Sequence, residues 1–409
     1  MLALAGCGCA QERPTFPNVL LVSIDTLRAD HVGCYGHARP TTPALDRFAQ
    51  ERAVRFAHAF AESSWTLPSH ATMLTGLHPL THGVRQPDLG LDESGPQPLA
   101  SLLERTHYSF AITDGGWLSH PWGFTLGFES FHTKDLEIDA AVETTLEYVR
   151  HRTGQGAWFG FLHTYDVHCP YDPPALYAGT FTSEDAEPIE VAGRCGNPHF
   201  NALGVTPGQA RYLADRYDED LRRVDDALAQ LFAALDELDL WKSTIVIVTS
   251  DHGEEFLEHG QIGHERTLSR EALSIPLLIA VPGVAPGVVD EPVGLADLVP
   301  TIIDLVGDDW LPEREYDEFD GRSLLPLLRG EADPREPVLS ELDWQLQLVA
   351  ESDGTATRVF ALGPGMPPES ASAVKRRARL LEGGYKPEPM DIPKARADEL
   401  SALGYGGER

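Results

Sequence analysis

The sequence predicts an α/β protein with a doubly wound, mostly parallel sheet and a small C-terminal α+β appendage. The chain has 409 residues, 42% of them hydrophobic, which is enough for a large core. Short, continuous apolar runs recur along it, as is typical of strands that are covered on both faces. Helical segments alternate with these runs, and that alternation indicates helices packed on both sides of a parallel sheet.

Five apolar runs predict the buried strands, and the segments between them predict helices. The strands are expected at 18–25, 108–114, 157–163, 244–251 and 275–281. Helices are expected at 43–52, 99–105, 138–152, 207–238 and 295–306. The region 169–206 is rich in Pro, Gly, Asp and Glu, and predicts a long surface excursion of the kind that forms a lid.

After Arg329 the strand–helix pattern weakens. The runs 338–342 and 357–362 predict two strands of a small appended sheet, and the charged tail 371–409 is expected to pack loosely. We therefore divide the chain into a leader and linker over 1–17, a main domain over 18–330 and a small C-terminal subdomain with its tail over 331–409.

The charge balance restricts the partners of this chain. Acidic residues outnumber basic ones by 63 to 32, a formal net charge of −31. Nucleic acids and anionic membranes require basic surface, so neither is expected to bind. No run of 18 or more apolar residues occurs, and a membrane-spanning helix is not expected.

The first seven residues, ending Leu4-Ala5-Gly6-Cys7, resemble the end of a bacterial lipoprotein signal, although the usual basic segment is missing. We expect Cys7 to carry a lipid that holds the protein on the periplasmic side of the cell envelope, and expect no other membrane contact. A chance match is the alternative. Cys169 and Cys195 pair in an oxidising compartment, or remain buried free thiols.

A second local pattern places a hydroxyl group at the start of a short helix. The stretch from Ser64 to Gly76 contains Pro68, which is preset for a first helical turn, and Gly76, which can end the helix. Thr66 therefore lies where backbone N–H groups and the positive end of the helix dipole converge. Such a position suits an anionic ester group.

Polar side chains follow three of the predicted strands. The first ends in Asp25, the third runs into the stretch from His163 to His168, and the fourth ends in Asp251-His252-Gly253-Glu254-Glu255. Ligands of open α/β sheets bind beyond the carboxyl ends of the strands, so these groups and Thr66 predict a metal-assisted nucleophilic site. Taken singly, each has a simpler explanation, because Asp is common in caps and turns and a buried His is commonly a hydrogen-bonded core residue.

Over about residues 18–330 the chain resembles the sulfatase family, a branch of the alkaline phosphatase superfamily. The resemblance is carried by the segments 18–31 with Gly36, 66–76 with Pro79 and 82–84, 127–128 with Phe131, 163–171, 249–254 with 259–260 and His264, 275–277, 320–326 and 402–405. It implies an alkaline phosphatase-like fold for the main domain. It also implies a hydrolase of sulfuric or phosphoric esters that depends on a divalent metal.

The resemblance assigns roles to individual residues. Asp25, Asp251 and His252 are expected to bind the metal, with the Thr66 oxygen as a further ligand. His168 and His264 are expected to contact the ester's charged oxygens or its leaving group, and His264 falls where many sulfatases have Lys. The expected substrate contacts are His70 and His163, with His120 as a weaker substitute for the family's sulfate-binding motif and Asp166 as a secondary candidate.

Departures from the family pattern define the predicted chemistry. Sulfatases convert a Cys or Ser at the nucleophile position to formylglycine, whereas oxidation of Thr66 would give a ketone, so Thr66 is expected to act unmodified. His70 replaces the Arg that holds formylglycine. Thr26 replaces an Asp and His252 an Asn, and this exchange of oxygen for nitrogen favours zinc or manganese, with calcium still possible.

The predicted function is a metal-dependent hydrolase of sulfate or phosphate esters. Threonine nucleophiles are typical of the superfamily's phosphodiesterases, so phosphate esters or diesters are the chemical preference. The substrate's organic part is expected to be a glycan or a lipid headgroup. Two alternatives remain open, namely a phosphoethanolamine-type transferase acting on envelope glycans or lipids and a non-catalytic binding protein of the same fold.

Overall fold

A computed structural model of the chain describes residues 16–134, 136–190, 204–307, 319–342, 347–362 and 371–390. Its largest element is a nine-stranded sheet. The strands of this sheet are Asn18–Ile24 (β1), Val54–Phe60 (β2), His107–Ile112 (β3), Ser130–His132 (β4), Ala157–Thr164 (β5), Thr244–Thr249 (β6), Ser274–Ala280 (β9), Gly287–Val289 (β10) and Val293–Gly294 (β11). A short hairpin, Glu255–Phe256 (β7) and Ile262–Gly263 (β8), follows β6.

Helices cover both faces of this sheet. They are Pro43–Glu51 (α1), Thr66–Thr75 (α2), Pro79–His82 (α3), Leu99–Leu103 (α4), Ile138–Arg152 (α5), Pro207–Glu237 (α6), Arg270–Leu273 (α7), Leu298–Val306 (α8), Leu325–Leu328 (α9) and Ala371–Gly383 (α10). Val19 and Leu21 of β1 pack into the core with α2 and α8, whereas Leu20 and Val22 pack into the core with α1, α5 and α6. This alternation explains the continuous apolar run of β1.

The strand order is β10-β2-β9-β6-β1-β5-β3-β4, and β11 also pairs with β2. β4, β3, β5, β1 and β6 are mutually parallel. Among the described strands of this sheet, β9 runs antiparallel to both of its neighbours. The predicted doubly wound, mostly parallel α/β fold is confirmed.

Four strands of the sheet are additional to the predicted elements. The strands β2, β4, β10 and β11 were not among the five predicted ones. β2 alternates buried and half-buried positions and includes Arg55 and His58, so it lacks the continuous apolar character of a central strand. It lies toward one edge of the sheet, between β9 and the short β10 and β11.

The C-terminal appendage is a three-stranded antiparallel sheet of Val338–Leu342 (β12), Leu348–Ser352 (β13) and Thr357–Ala361 (β14). The two predicted strands are therefore present, with a third between them. α10 packs against α3 and β13, so the part of the tail over 371–383 is an ordered helix rather than loosely packed chain. The division of the chain into 1–17, 18–330 and 331–409 remains a prediction.

The longest of the described helices, α6, begins where the sequence supplies a cap. Thr206 caps α6, because its hydroxyl accepts the backbone N–H of Gln209 while the Gln209 side chain accepts the backbone N–H of Thr206.

None of the described helices is both long and apolar enough to cross a membrane. The predicted lipidation of Cys7 and the second partner of the predicted Cys169–Cys195 pair lie outside the described residues.

Candidate active site

Strand register brings the predicted acidic residues together. In the parallel pairing of β1 with β6, Ser23 lies opposite Thr249, and on the other side of β1 it lies opposite His163 of β5. Asp25 and Asp251 each follow this matched pair by two residues. Both carboxylates therefore leave the same edge of the sheet side by side, and both are fully buried.

Thr66 is the first residue of α2, after an extended Trp65. Its Oγ1 lies 3.2 Å from Asp25 Oδ2 and 3.4 Å from His252 Nε2. α2 ends at Gly76, whose φ of 72° is left-handed, as the sequence predicted. All ten residues of the helix are buried, so the hydroxyl is held on an element that packs on every side.

Asp25, Asp251 and His252 form a candidate metal centre. One ligand atom from each lies within 4.8 Å of the other two. Asp25 Oδ1 and Asp251 Oδ2 are buried and have no hydrogen-bond partner, a costly arrangement that a bound cation would relieve. Two carboxylates and an imidazole form a donor set that suits a divalent metal, so the residues fit the predicted group.

The tautomer of His252 also suits metal binding. Its Nδ1 lies 2.9 Å from the carbonyl oxygen of Gly253, which can only accept a hydrogen bond. The proton of a neutral His252 is therefore on Nδ1, and the lone pair of Nε2 faces Thr66 and Asp251. A backbone carbonyl that fixes a ring in this way is the usual support of a metal-binding histidine.

The two carboxylates have opposed electrostatics in the metal-free protein. Burial and the charge of Asp251 raise the pKa of Asp25 well above its usual value. Burial also disfavours ionisation of Asp251, but the neighbouring His252 and His70 hold its pKa at about 2. Two buried carboxylates at this distance compete for ionisation, and a cation between them would favour the ionised form of both.

His70 links α2, the helix that begins at Thr66, to the central strand β1. Its Nδ1 donates to the Thr66 carbonyl oxygen at 2.9 Å, which leaves Nε2 to accept from the Ser23 hydroxyl at 3.0 Å. With both ring nitrogens engaged, His70 holds Thr66 in place and has no free nitrogen for an ester. This geometry differs from the substrate contact that the sequence predicted for it.

His163 is a buried imidazole without hydrogen bonds. Neither ring nitrogen makes a hydrogen bond of good geometry with the described residues, and Nε2 lies 3.8 Å from Asp25 Oδ2. The ring packs edge-on against His70 and Tyr165, at centroid distances of 4.7 and 4.6 Å. The structure thus places His163 beside the predicted metal centre, in accord with a functional role.

His264 packs against the candidate metal ligand His252, and His168 packs against His264. Their ring centroids are 5.1 Å apart, and the His264 ring is 4.5 Å from that of His252. His168 is 5% exposed, whereas Thr66, Asp25, Asp251 and His252 are fully buried. Burial lowers the pKa of each of these two histidines to about 4 in the metal-free protein.

Two weaker candidates lie apart from this cluster. His120 is exposed at the start of a short 3₁₀ turn, and none of the contacts among the described residues joins it to the site. The Asp166 carboxylate accepts the backbone N–H of Ile138 at 2.5 Å and so caps α5. The simpler explanation, that an Asp after a strand is a helix cap, therefore applies to Asp166.

The sequence interpretation missed the roles of Glu254 and Thr26. Glu254 is buried, and its Oε1 lies 3.1 Å from His264 Nδ1. Burial raises its pKa, against the opposing effect of His168 and His252. Thr26 has a left-handed φ of 55°, unusual for a β-branched residue, and donates its backbone N–H to Asp251 Oδ1. The Asp-His-Gly-Glu motif pointed to Glu254, but no local signal indicated the strain at Thr26.

The chain is similar in sequence to known proteins over most of its length. The family model for sulfatases matches residues 17–308. Mouse (Mus musculus) steryl-sulfatase is 26% identical over 465 residues, covering 89% of this chain and 73% of its own length. The multifunctional alkaline phosphatase superfamily protein PehA of Trinickia caryophylli is 26% identical, with 83% and 80% covered.

Solved structures show the same fold. A phosphonate monoester hydrolase of Agrobacterium radiobacter superimposes with a TM-score of 0.71 at 21% identity, covering 90% of this chain and 95% of that one. A structure in complex with D-glucosamine-2-N,6-O-disulfate as its substrate gives a TM-score of 0.69 at 18% identity, with 90% and 97% covered. At these identities the likeness concerns the fold.

Proposed function

We propose, from the premise that the chain belongs to the sulfatase family, that it is a metal-dependent ester hydrolase with Thr66 as its unmodified nucleophile. The observation that carries this proposal is the position of Thr66 Oγ1, 3.2 Å from Asp25 Oδ2 and 3.4 Å from His252 Nε2. A hydroxyl this close to two predicted metal ligands occupies the place that metal-assisted nucleophilic catalysis requires.

Asp25, Asp251 and His252 would hold the metal. A divalent metal bound there would act as a Lewis acid that lowers the pKa of a nearby hydroxyl and stabilises negative charge on an ester oxygen. The mixture of carboxylate oxygen and imidazole nitrogen favours zinc or manganese over calcium, although calcium fits the carboxylates.

The chain's own residues account for the proton transfers. Thr66 Oγ1 attacks phosphorus, and its proton passes to Asp25 Oδ2, which accepts the hydroxyl's hydrogen bond. The bond to the leaving oxygen breaks, and that oxygen takes a proton from His168 or His264. Water then attacks the phospho-Thr66 group and returns a proton to the same histidine, and Thr66 recovers its proton as the phosphorus–Oγ1 bond breaks.

Phosphorus is the preferred centre over sulfur. Thr66 cannot yield the aldehyde of formylglycine, and His70 is occupied by Thr66 and Ser23 rather than free to hold such a group. A relative named as a multifunctional alkaline phosphatase superfamily protein and a structural neighbour named as a phosphonate monoester hydrolase support this choice. Phosphodiesters and phosphonate monoesters are therefore the first substrates to test, with sulfate esters as the family alternative.

The test is hydrolysis by the full chain loaded with zinc, manganese or calcium. The substrates are 4-nitrophenyl sulfate, bis-4-nitrophenyl phosphate and 4-nitrophenyl phenylphosphonate. We expect Thr66→Ala to lower kcat/KM by about 10⁴-fold or more, and Thr66→Ser, which keeps the hydroxyl, to retain a measurable part of it. Mass spectrometry of the tryptic peptide should show an unmodified Thr66, and phospho-Thr66 after acid quenching.

Two outcomes would contradict the proposal. Full activity in Thr66→Ala would remove Thr66 as the nucleophile, whereas faster hydrolysis of the sulfate ester by unmodified wild-type protein would overturn the preference for phosphorus. A phospho-Thr66 adduct released only by an acceptor alcohol would identify the phosphoethanolamine-type transferase. Failure to bind any divalent metal would instead identify a binding protein.

The proposed setting follows from the sequence. A periplasmic position with a lipid on Cys7 would place the enzyme beside envelope glycans and lipid headgroups, which are the substrate classes we propose. The net charge of −31 does not favour long polyanions or nucleic acids.

A further inference from the structure

We propose that Glu255, His259 and Glu271 form a second divalent-metal site, suited to zinc, that joins the turn of the β7–β8 hairpin to α7. The site is separate from the candidate metal centre and does not depend on the proposed function. One ligand atom of each of the three residues lies within 4.8 Å of those of the other two. Zinc sites that keep a position for water use three protein ligands of these types.

Glu255 supplies the observation that points to a cation. Its side chain is fully buried at the start of β7. Oε1 accepts the Thr267 hydroxyl at 2.9 Å, whereas Oε2 is buried and makes no hydrogen bond among the described residues. Burial raises the pKa of this carboxyl, although the hydroxyls of Ser269 and Thr267 oppose the shift. A buried carboxylate oxygen without a donor is costly, and a cation would remove that cost.

His259 and Glu271 form the solvent side of the cluster. His259 Nε2 lies 2.8 Å from Glu271 Oε2, and the two side chains are 54% and 23% exposed. A bound cation would take the place of the proton that this pair shares, because a metal-binding imidazole is neutral. With His259 neutral, the two carboxylates of the cluster offer two negative charges to one divalent cation.

The hairpin turn brings His259 to α7. The turn is closed by hydrogen bonds from the Leu257 N–H to the Gln261 carbonyl oxygen at 2.7 Å and from the Gly260 N–H to the Leu257 carbonyl oxygen at 3.0 Å. Leu257 has a left-handed φ of 81°, which is strained for a residue other than glycine. Glu271 lies in the first turn of α7. A metal between His259 and Glu271 would therefore hold a strained turn against a helix.

The cluster opens into a cavity of about 420 Å³ between the hairpin, α7 and the C-terminal sheet. His259, Thr267 and Glu271 line it on one side, and Leu348 and Val359 line it on the other. The cavity gives zinc a path to the three ligands, and it leaves room for water to complete the coordination.

No arginine replaces the metal in this cluster. Among the described ion pairs, Glu271 is joined only to His259, and none includes Glu255. Arg270 lines the cavity, but it donates to the Gly354 carbonyl oxygen at 3.3 Å and its guanidinium lies over the Phe60 ring. The charge that would balance the two carboxylates is therefore left to a cation.

This second site is expected to bind zinc more weakly than the candidate metal centre. The ligands of that centre are fully buried. His259 is half-exposed, and it must give up its contact with Glu271 before both can bind an ion. The first equivalent of zinc should therefore fill the candidate metal centre, and further zinc should fill the second site.

Zinc titration of the metal-free full chain, with a chromophoric chelator as competitor, tests the proposal. The variants are Glu255→Gln, His259→Asn and Asp251→Asn. His151→Asn is the matched control, because His151 is an exposed histidine that belongs to neither metal cluster. We expect wild type and His151→Asn to bind two zinc ions, and Asp251→Asn to keep the weaker one.

Glu255→Gln and His259→Asn should weaken the second ion alone. Its dissociation constant should rise by at least the factor of about 10–100 that loss of a residue supporting a metal ligand costs. Thermal unfolding shows whether each variant is folded, and the exposed His259→Asn decides the question if Glu255→Gln does not fold.

Hydrogen exchange supplies a readout that zinc adsorbed elsewhere would not change. Filling of the second site should slow deuterium uptake in the peptide 255–263 of wild type and Asp251→Asn, but not of His259→Asn. Exchange is preferred to melting temperature, because a ligand present near its dissociation constant adds little to global stability.

Two outcomes would overturn the proposal. Wild type that binds a single zinc ion, lost in Asp251→Asn, would show that the second site is absent. A second ion that binds Glu255→Gln and His259→Asn as tightly as wild type would show adventitious binding only. Neither outcome bears on Thr66 or on ester hydrolysis.

Discussion

Two clusters in this protein both combine carboxylates with histidines but differ in how their polar atoms are hydrogen-bonded. One is the candidate metal centre of Asp25, Asp251 and His252. The other, here called the Asp218 cluster, consists of His31, His37, Arg39 and Asp218. The candidate metal centre offers one atom from each of two carboxylates and one histidine, and the Asp218 cluster offers one atom from each of two histidines and one carboxylate. In each cluster these three atoms lie within 4.8 Å of one another.

Every Asp218 oxygen has a donor. Oδ1 lies 2.6 Å from His31 Nδ1, and Oδ2 lies 3.3 Å from His37 Nε2 and 2.7 Å from Arg39 Nη1. The two imidazole rings also stack at 4.9 Å. The cluster therefore fastens the loop after β1 to α6, and Arg39 supplies the positive charge that a metal would otherwise bring.

The candidate metal centre is the opposite case. Asp25 Oδ1, Asp251 Oδ2 and both nitrogens of His163 are buried and make no hydrogen bond among the described residues, although Asp251 Oδ2 lies 3.3 Å from His252 Nε2. The types of titratable residue and their spacing in the sequence do not distinguish the two clusters, because both bring carboxylates and histidines together. Hydrogen-bond satisfaction does separate them, because a fold retains unpaired buried polar atoms where function requires them.

The largest expected effect comes from the unsatisfied cluster. Asp251→Asn should lower kcat/KM by about 1,000-fold or more, because it removes a charged metal ligand. It should also abolish the rise in melting temperature that the metal causes, while the metal-free protein changes in stability by less than about 2 kcal/mol. Assays and calorimetry with and without metal check this, and a large loss of metal-free stability would contradict the comparison.

The satisfied cluster should respond in stability instead. Asp218→Asn removes one partner of a buried ion-pair network and should cost about 3–5 kcal/mol of unfolding free energy. The matched control is Asp236→Asn, which removes the exposed Arg52–Asp236 pair and should cost less than about 1 kcal/mol. Denaturant unfolding measures both, and equal costs would show that the Asp218 cluster is no stronger than a surface pair.

A substitution of His163 tests whether a buried group without hydrogen bonds is retained for activity rather than for stability. In His163→Phe, two unsatisfied nitrogens disappear, so the unfolding free energy should rise by about 1–3 kcal/mol. Activity should fall by more than about tenfold if the ring serves the site. Opposite changes in stability and activity would support the comparison, whereas loss of both would indicate that the imidazole has a structural role.

The smallest effect is the pH dependence of the Asp218 contribution. Burial would raise the Asp218 pKa, but His31 and His37 hold it well below its usual range. An acid whose folded-state pKa is depressed stabilises the fold above its unfolded pKa of about 3.9 and loses that contribution as the pH falls. The stability difference between wild type and Asp218→Asn should therefore be full at pH 6 and shrink below pH 4, as urea titrations would show.

Much of the fold was predictable because it depends on local pattern. The buried central strands and α5 and α6 follow from apolar runs, helical periodicity and caps. The direction of β9 was not predictable, since orientation depends on how the chain returns after the β7–β8 hairpin rather than on the strand's own residues. β2 was not predicted as a strand because it mixes buried with half-buried residues and includes Arg55 and His58.

The convergence of Asp25 and Asp251 was predictable for a similar reason. Asp25 and Asp251 each lie two residues beyond the pair Ser23 and Thr249, which are opposite each other in the parallel register of β1 and β6, so the two carboxylates are close in space. The pairing of Glu254 with His264 was not predictable, because it depends on the path of a hairpin. The different environments of Asp166 and Asp25 were also not predictable: Asp166 caps a helix, whereas one oxygen of Asp25 makes no hydrogen bond.

The complete burial of α2 has a consequence for exchange with solvent. Each of its ten residues is buried, so local fraying does not expose its amide hydrogens to water. They should exchange with deuterium only when the whole domain unfolds, at the slowest rate in the protein. Thr66 at its first position is therefore expected to stay in place as long as the domain is folded, and motion that admits a substrate would come from the segments that surround this helix.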